Sequence, residues 1–452
     1  MIVMKFGGSS VESGAAIDRV ASIVRSRLDR QPVVVVSAMG KTTNRLLALA
    51  QSAVQGDRAG ALAQLEELRA YTLHEGGPVG GAIEAHFREL SELVQGLAVL
   101  GELTPRSVDA ISAYGERLSS LIVAERFRAN GLDAVQADAR EYLVTDARHT
   151  QAAPLYAETY QRLASRLAPI ARKHVVVLGG FIGSTAAGVT TTLGRGGSDY
   201  SASSAGAGRA ADEIQIGTDV DGMLTCDPRI ADIGHRVKVI SFGEAAELAY
   251  FGAKVLHPAT VLPAIEKNIP VFILNSRRPE VAGTRIVAET VPCANVFKAI
   301  ACKQEIVSVH IRSMRMLMAH GFLRRIFEVF DRYETPVDMI ATSEISVSLT
   351  IDDPRRLDAI LGELREFAEV SVETGQAIIC MVGDNIGATR GIAGRVFQAM
   401  NGANIRMISQ GASNLNLSFV VAARDLAPGV TALHREFFSE LDPQIFERRG
   451  TT

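Results

Sequence analysis

The sequence predicts a mostly parallel α/β domain followed by a duplicated α+β unit. Three observations carry this. Short apolar runs such as PVVVVSAM (32–39) and HVVVLGG (174–180) have the composition of strands buried on both faces of a parallel sheet. They alternate with helical stretches, of which the first places Ile17, Val20, Ile23, Val24 and Leu28 at helical spacing. Beyond residue 295 the rhythm changes to two similar β-α-β-β-α units of roughly 70 residues each.

In order, IVMKF (2–6) is a strand, GGSS (7–10) a turn and VESGAAIDRVASIVRSRL (11–28) an amphipathic helix. PVVVVSAM follows as the second strand. Residues 42–170 read as largely helical, interrupted at HEGGPVGG (74–81). HVVVLGGFIG (174–183), EIQIGTDVDG (213–222) and IPVFILNS (269–276) are further strands, and TTTLGRGGSDYSA (190–202) opens a helix. In the first repeat, IVSVHIR, GFLRRIFEVFDRY, PVDMIATSE, ISVSLTI, PRRLDAILGELREF and EVSVE alternate as strand and helix. In the second, AIICMVG, ATRGIAGRVFQAMNG, ANIRMISQGAS, LNLSFVV and a helix from Ala427 do the same.

A net charge of -3 with both signs interspersed leaves no basic footprint, so no nucleic-acid partner is expected. No apolar run approaches the length of a membrane span, and MIVMKFGGSS is too short for a signal peptide, so a cytoplasmic location is expected. Cys226, Cys293, Cys302 and Cys380 lack zinc-ligand spacing and read as reduced structural thiols. No metal-ligating set is expected.

Two glycine-rich segments carry the chemistry. In LGRGGSD, Ser198 and Asp199 are N-cap types, the glycines bare the backbone at a helix start, and Arg195 offers a fork for a carboxylate or phosphate. In KFGGSS, Lys5 ends a strand before Gly7, Gly8, Ser9 and Ser10, the outline of a phosphate cradle. Two other matches fail: MGKTT lacks the earlier glycine of a Walker loop, having Val35 there, and GAGRAA lies inside a helix. TDVDGMLTCDPR puts Thr218, Asp219 and Asp221 at a strand end, where ligands of open α/β sheets collect. Their carboxylates suit a nucleotide, Mg²⁺ or a loop cap equally. His257, before Pro258, reads as structural, and Glu116 in YGERLSS as a helix-face residue.

These segments together resemble aspartate kinases of the amino-acid kinase superfamily. The likeness runs through KFGGSSV, VVVVSAM, YGERLS, GFIGSTAAGVTTTLGRGGSDYSA, TDVDGMLTCDPRI, FGAKVLHPATVLPA and IPVFILNSRRPE, and through two ACT-type regulatory units. It implies an α/β/α sandwich over 1–290, a ferredoxin-like ACT unit over 304–374, and a second ACT unit made of 297–303 plus 375–445. It implies transfer of phosphate from MgATP to the side chain of L-aspartate. Lys5 and Asp199 would be catalytic, with Asp199 holding Lys5. Ser37, Thr43, Glu116, Arg195 and Ser198 would bind aspartate, Glu116 taking its ammonium. Lys5, Gly7, Gly8, Ser9, Thr218, Asp219, Arg229 and Lys254 would hold ATP.

Met316, Gly321, Phe322, Leu323, Val337, Asp338, Thr342, Ser343 and Glu344 would form an effector pocket at a homodimer interface, with Asp338 facing an ammonium. Lysine is the expected inhibitor and threonine the alternative; the assembly is a dimer or tetramer. Leu224 replaces a tyrosine that several relatives carry near the adenine. No homoserine dehydrogenase half is expected after Thr452, so the kinase would be monofunctional. The rivals are a kinase of the same fold acting on a longer acid such as glutamate, and a catalytically silent amino-acid sensor.

Overall fold

The computed structural model describes residues 1–77, 80–252, 258–316 and 320–448. It divides into two compact units, Met1–Met223 with Leu256–Glu289, and Leu224–Val255 with Thr290–Thr452. The segment from Leu224 to Val255 thus packs with the C-terminal half, although it lies within 1–290.

In the first unit seven strands hydrogen-bond in the order Thr284–Val287, Val271–Asn275, Glu213–Thr218, Ile2–Phe6, Val33–Val36, Val175–Gly179 and Ala134–Ala137. All pairings are parallel except that of Thr284–Val287 with Val271–Asn275. Val33 to Val36 have no exposed surface, and burial of each such side chain contributes about 1.5–3 kcal/mol. That explains the unbroken valine run: both faces of this central strand are covered.

The helical segment resolves into Thr42–Val54, Arg58–Gly76, Gly80–Leu100 and Pro105–Ala129. Leu46, Leu49, Leu68, Leu90, Ile111 and Ile122 join Met4, Val34 and Val177 in one core. The last of these helices is started by Pro105 after Thr104, whose hydroxyl accepts the N–H of Ser107.

In the second unit six strands form one antiparallel sheet in the order Ile340–Thr342, Ser346–Ile351, Phe297–Arg312, Glu369–Gly383, Asn416–Ala422 and Met407–Gln410. The sequence reading separated FKAIACK from IVSVHIR, and EVSVE from AIICMVG. Each pair is instead one continuous strand. Residues 297–303 pair with the far half of Glu369–Gly383, and residues 306–312 with its near half and with Ser346–Ile351. A register shift between Lys303 and Ile306 marks the join. Helices Phe322–Arg332 and Leu357–Arg365 cover one end of the sheet through Ile326, Phe330, Ile360 and Leu364.

Lys298 is fully buried on the strand Phe297–Arg312, and its ammonium lies 2.9 Å from a carboxylate oxygen of the equally buried Glu244. Glu244 also accepts the N–H and hydroxyl of Ser241, both at 2.8 Å, within the capping box that starts helix Phe242–Tyr250. The ion pair therefore ties that helix to the sheet.

Candidate active site

Parallel strands end together, and the first unit places several of the expected site residues where three neighbouring strands end. Lys5 lies one residue from the end of Ile2–Phe6, Ser37 directly follows Val33–Val36, and Gly180 directly follows Val175–Gly179. A cavity of about 360 Å³ opens there, lined among others by Lys5, Gly8, Ser37, Thr43, Glu116, Ser198 and Asp199. Lys41, Asn44 and Phe181 also line it, and the sequence reading did not single them out as ligands.

The ammonium of Lys5 lies 2.7 Å from Asp199, both side chains being mostly buried. Asp199 stands in the first turn of helix Gly197–Arg209, and the cap is not Ser198 or Asp199 but Gly196, in the left-handed region at φ 73°. The reason is local: Lys5 engages the Asp199 carboxylate, and glycine alone adopts that backbone without strain. The phosphate-cradle outline is kept at the other wall, where Gly8–Ser10 form a single helical turn. A Cβ on Gly8 would come within 2.8 Å of the Ala38 carbonyl oxygen, so only bare backbone fits. The Ser10 hydroxyl, 2.7 Å from that of Ser276, anchors the turn from behind.

Glu116 comes from helix Pro105–Ala129, which approaches the strand ends closely because Gly115 and Gly179 have no side chains. A Cβ at either would fall 2.8 Å from Ala38 Cβ or from the Glu116 carbonyl oxygen. The helix is stitched in place where Ser119 donates to the carbonyl of Ser37 at 2.7 Å. Glu116 accepts the Ala38 N–H at 3.0 Å through one oxygen, while the other is buried without a partner among the described residues. Burial pushes its carboxyl up to about 8, against the opposing pull of the Ala38 N–H.

The model of the amino acid kinase family matches residues 1–275, and that of the ACT domain residues 379–437. Aspartokinase 1, chloroplastic, of Arabidopsis thaliana is 39% identical over 97% of this chain and 80% of its own length. Lysine-sensitive aspartokinase 3 of Escherichia coli is 36% identical over 97% of this chain and 99% of its own. The chain belongs to the aspartokinase family. The crystal structure of E. coli aspartokinase III with aspartate and ADP superposes with a TM-score of 0.84, at 36% identity, over 97% of this chain and all of that one.

The remaining residues named for an aspartokinase fall as follows. Gly7 and Ser9 flank the lining Gly8, and Arg195 stands between the lining Gly194 and Gly196 with its side chain exposed. Thr218 ends the strand beside Ile2–Phe6 and Asp219 directly follows it, the Thr218 hydroxyl donating to Asp219 at 3.3 Å. Neither lines the cavity. Arg229 belongs to the second unit, where it pairs with Asp227 at 2.5 Å. Lys254 and His257 lie outside the described residues.

Of the residues expected to form an effector pocket, Gly321 takes φ 83° as cap of helix Phe322–Arg332, and Met316, Phe322 and Val337 are half-buried. Leu323, Thr342, Ser343 and Glu344 are exposed. The Asp338 side chain is 2% exposed, and its partner is a residue that the sequence reading passed over. Lys303 pairs with Asp338, lies 2.7 Å from Asp352, and stands 5.2 Å from the ring centre of Tyr250. Burial opposes its charge, but the two carboxylates outweigh this and raise its pKa.

Proposed function

We propose that the chain transfers the γ-phosphoryl group of MgATP to the side-chain carboxylate of L-aspartate, giving 4-phospho-L-aspartate, under feedback inhibition by L-lysine. The observation that carries this reading is one cavity with Lys5 and Asp199 on its wall and a buried, half-unpartnered Glu116 in the same lining. Such a pocket suits an amino acid whose ammonium meets Glu116 and whose reacting carboxylate reaches Lys5.

A carboxylate acceptor with a pKa near 4 is ionised at neutral pH, so no general base is needed. Its oxygen attacks the γ-phosphorus, the bond to the bridging β–γ oxygen breaks, and ADP leaves. Catalysis then consists of holding two anions together and neutralising the charge that develops. In this reading Lys5 neutralises the transferring group and Asp199 fixes Lys5. Gly8 and Ser9 present backbone N–H groups to phosphate, with Gly7, whose own N–H donates to the Gly217 carbonyl at 3.4 Å, allowing the close approach, and Arg195 and Ser198 take the α-carboxylate, with Ser37 and Thr43 beside it. Thr218, Asp219, Arg229 and Lys254 are assigned to the nucleotide.

Magnesium offsets phosphate charge. Among the described residues no cluster of three or more histidine, cysteine or acidic side chains is placed to hold it, so it would arrive on the nucleotide.

Inhibition by lysine is supported by the lysine-sensitive relative and by a buried Asp338 already adapted to an ammonium. The reading extends to a cytoplasmic homodimer joined through the ACT units. No described helix is long and apolar enough to cross a membrane, and the strand Ile340–Thr342 is an edge strand of its sheet. The deciding experiment incubates the protein with MgATP, L-aspartate and hydroxylamine, with and without lysine. Aspartyl hydroxamate suppressed by lysine is expected. Product from glutamate alone would move the substrate, and lysine binding without turnover would make the chain a sensor.

A further inference from the structure

Helix Pro105–Ala129 carries a second buried carboxylate, Asp109, seven residues before Glu116 and so on the same face, two turns away. Asp109 has no exposed surface and does not line the cavity. Three donors converge on it. The Thr192 hydroxyl donates at 2.5 Å, the Thr150 N–H reaches both oxygens at 3.0 and 3.1 Å, and His149 Nδ1 lies at 2.6 Å. A fully buried acid with this many donors organises whatever supplies them.

What supplies them is the frame of the segment Gly194–Ser198, the turn that leads into helix Gly197–Arg209. Thr192 ends the strand Thr190–Thr192 that feeds the loop, and its carbonyl accepts the N–H of Ala152 at 2.9 Å. Thr150 is β-branched yet takes φ 71°, a strained conformation. Its carbonyl oxygen presses on Gly194, where a Cβ would lie only 3.2 Å away. On the opposite side Phe181, also at positive φ (63°), lies 2.7 Å from where a Cβ on Gly197 would be. Two residues at positive φ thus lie close against glycines of this segment, and Asp109 accepts the N–H of one of them.

We propose that Asp109 is a positioning residue that sets the loop bearing Arg195 and Ser198 for the substrate's α-carboxylate, acting through Thr150 and Thr192. This rests on the aspartate kinase reading above. Its test compares KM for aspartate, KM for ATP, kcat and Tm among Asp109→Asn, Thr192→Val and Asp109→Asn/Thr150→Gly. Asp109→Asn is expected to raise KM for aspartate at least tenfold and KM for ATP less than twofold. Thr192→Val should move the same parameter by less. Glycine accepts the positive φ without strain, so the double variant should recover at least threefold.

Equal rises in both KM values, or a lower Tm with KM for aspartate unmoved, would overturn the proposal. Absence of recovery in the double variant would overturn the route through Thr150. Should Asp109→Asn fail to fold, Thr192→Val is judged by the same split. If the wild-type protein prefers another acid, the split is read with that acid, which separates an error of substrate from an error of positioning.

Discussion

Asp338 accepts the ammonium of Lys303, and the same ammonium lies 2.7 Å from Asp352. An incoming ammonium would have to share this buried carboxylate with Lys303 or displace it, and Lys303 would keep Asp352 as a partner. Asp338→Asn keeps the shape and removes the charge. It is expected to raise the lysine concentration for half-inhibition at least tenfold, about 1.4 kcal/mol of binding, read by titrating lysine into the hydroxamate assay. An unchanged titration would remove Asp338 from the effector site.

Lys5 is the cation of the candidate cavity held directly by an acid, Asp199, at 2.7 Å. Loss of one preorganised group of this kind typically costs about 10²–10³ in kcat. Lys5→Ala should therefore lower kcat by that order, with a circular dichroism spectrum that shows the fold intact at the assay temperature, although the stranded Asp199 is expected to lower Tm. Turnover within a few fold of normal would end its assigned role.

The pH dependence follows from Glu116, whose carboxyl burial raises to about 8. In the free protein it is largely neutral below that pH, and it must ionise to meet an ammonium. The value of kcat/KM for aspartate should climb as pH rises from 6 toward 8, and the climb should vanish in Glu116→Gln. Stability runs the other way. Between the ordinary carboxyl range and about 8 the folded protein binds more protons than the unfolded chain, so this group's contribution to stability falls as pH rises. A profile for Glu116→Gln as steep as that of the wild type would assign the ionisation elsewhere.

Lys298 and Glu244 share full burial at 2.9 Å, so removing one partner strands the other. Lys298→Met is expected to destabilise the second unit by about 3–5 kcal/mol, seen as a lower thermal transition. Glu244→Gln/Lys298→Met should recover part of the loss. A double variant no more stable than the single one would show that the pair is not the source.

Much of the parallel sheet is legible because its strands are apolar on both faces: PVVVV and HVVVLGG announce themselves through composition. The candidate site is legible where glycines and charges crowd into short motifs, which is how Lys5, Gly8, Ser198 and Asp199 can be named; Glu116 reads from its own segment only as a helix-face residue, and the family resemblance alone points to it, yet all five line one cavity. The helix start at Gly196 was less visible, since Ser198 and Asp199 have the right chemistry for a cap but Lys5 claims the acid. Lys303 and Asp338 lie 35 residues apart, and no local pattern links them. Asp109 sits on a helix at a spacing that any solvated acid could occupy; only packing reveals it as buried. The merged strands are hidden in the sequence because the ladder is irregular at both joins: the register shifts between Lys303 and Ile306 on one strand and beside Gly375, at φ 66°, on the other.

The two long strands, Phe297–Arg312 and Glu369–Gly383, each run through both regulatory repeats. The repeats are consequently not interchangeable cassettes. A chimaera that exchanged residues 304–374 alone would splice foreign sequence into the middle of both shared strands, and mismatched halves would spoil the ladder of the repeat left behind. Engineers seeking to rewire effector response in this chain should transplant 297–383 as one block, or confine changes to side chains.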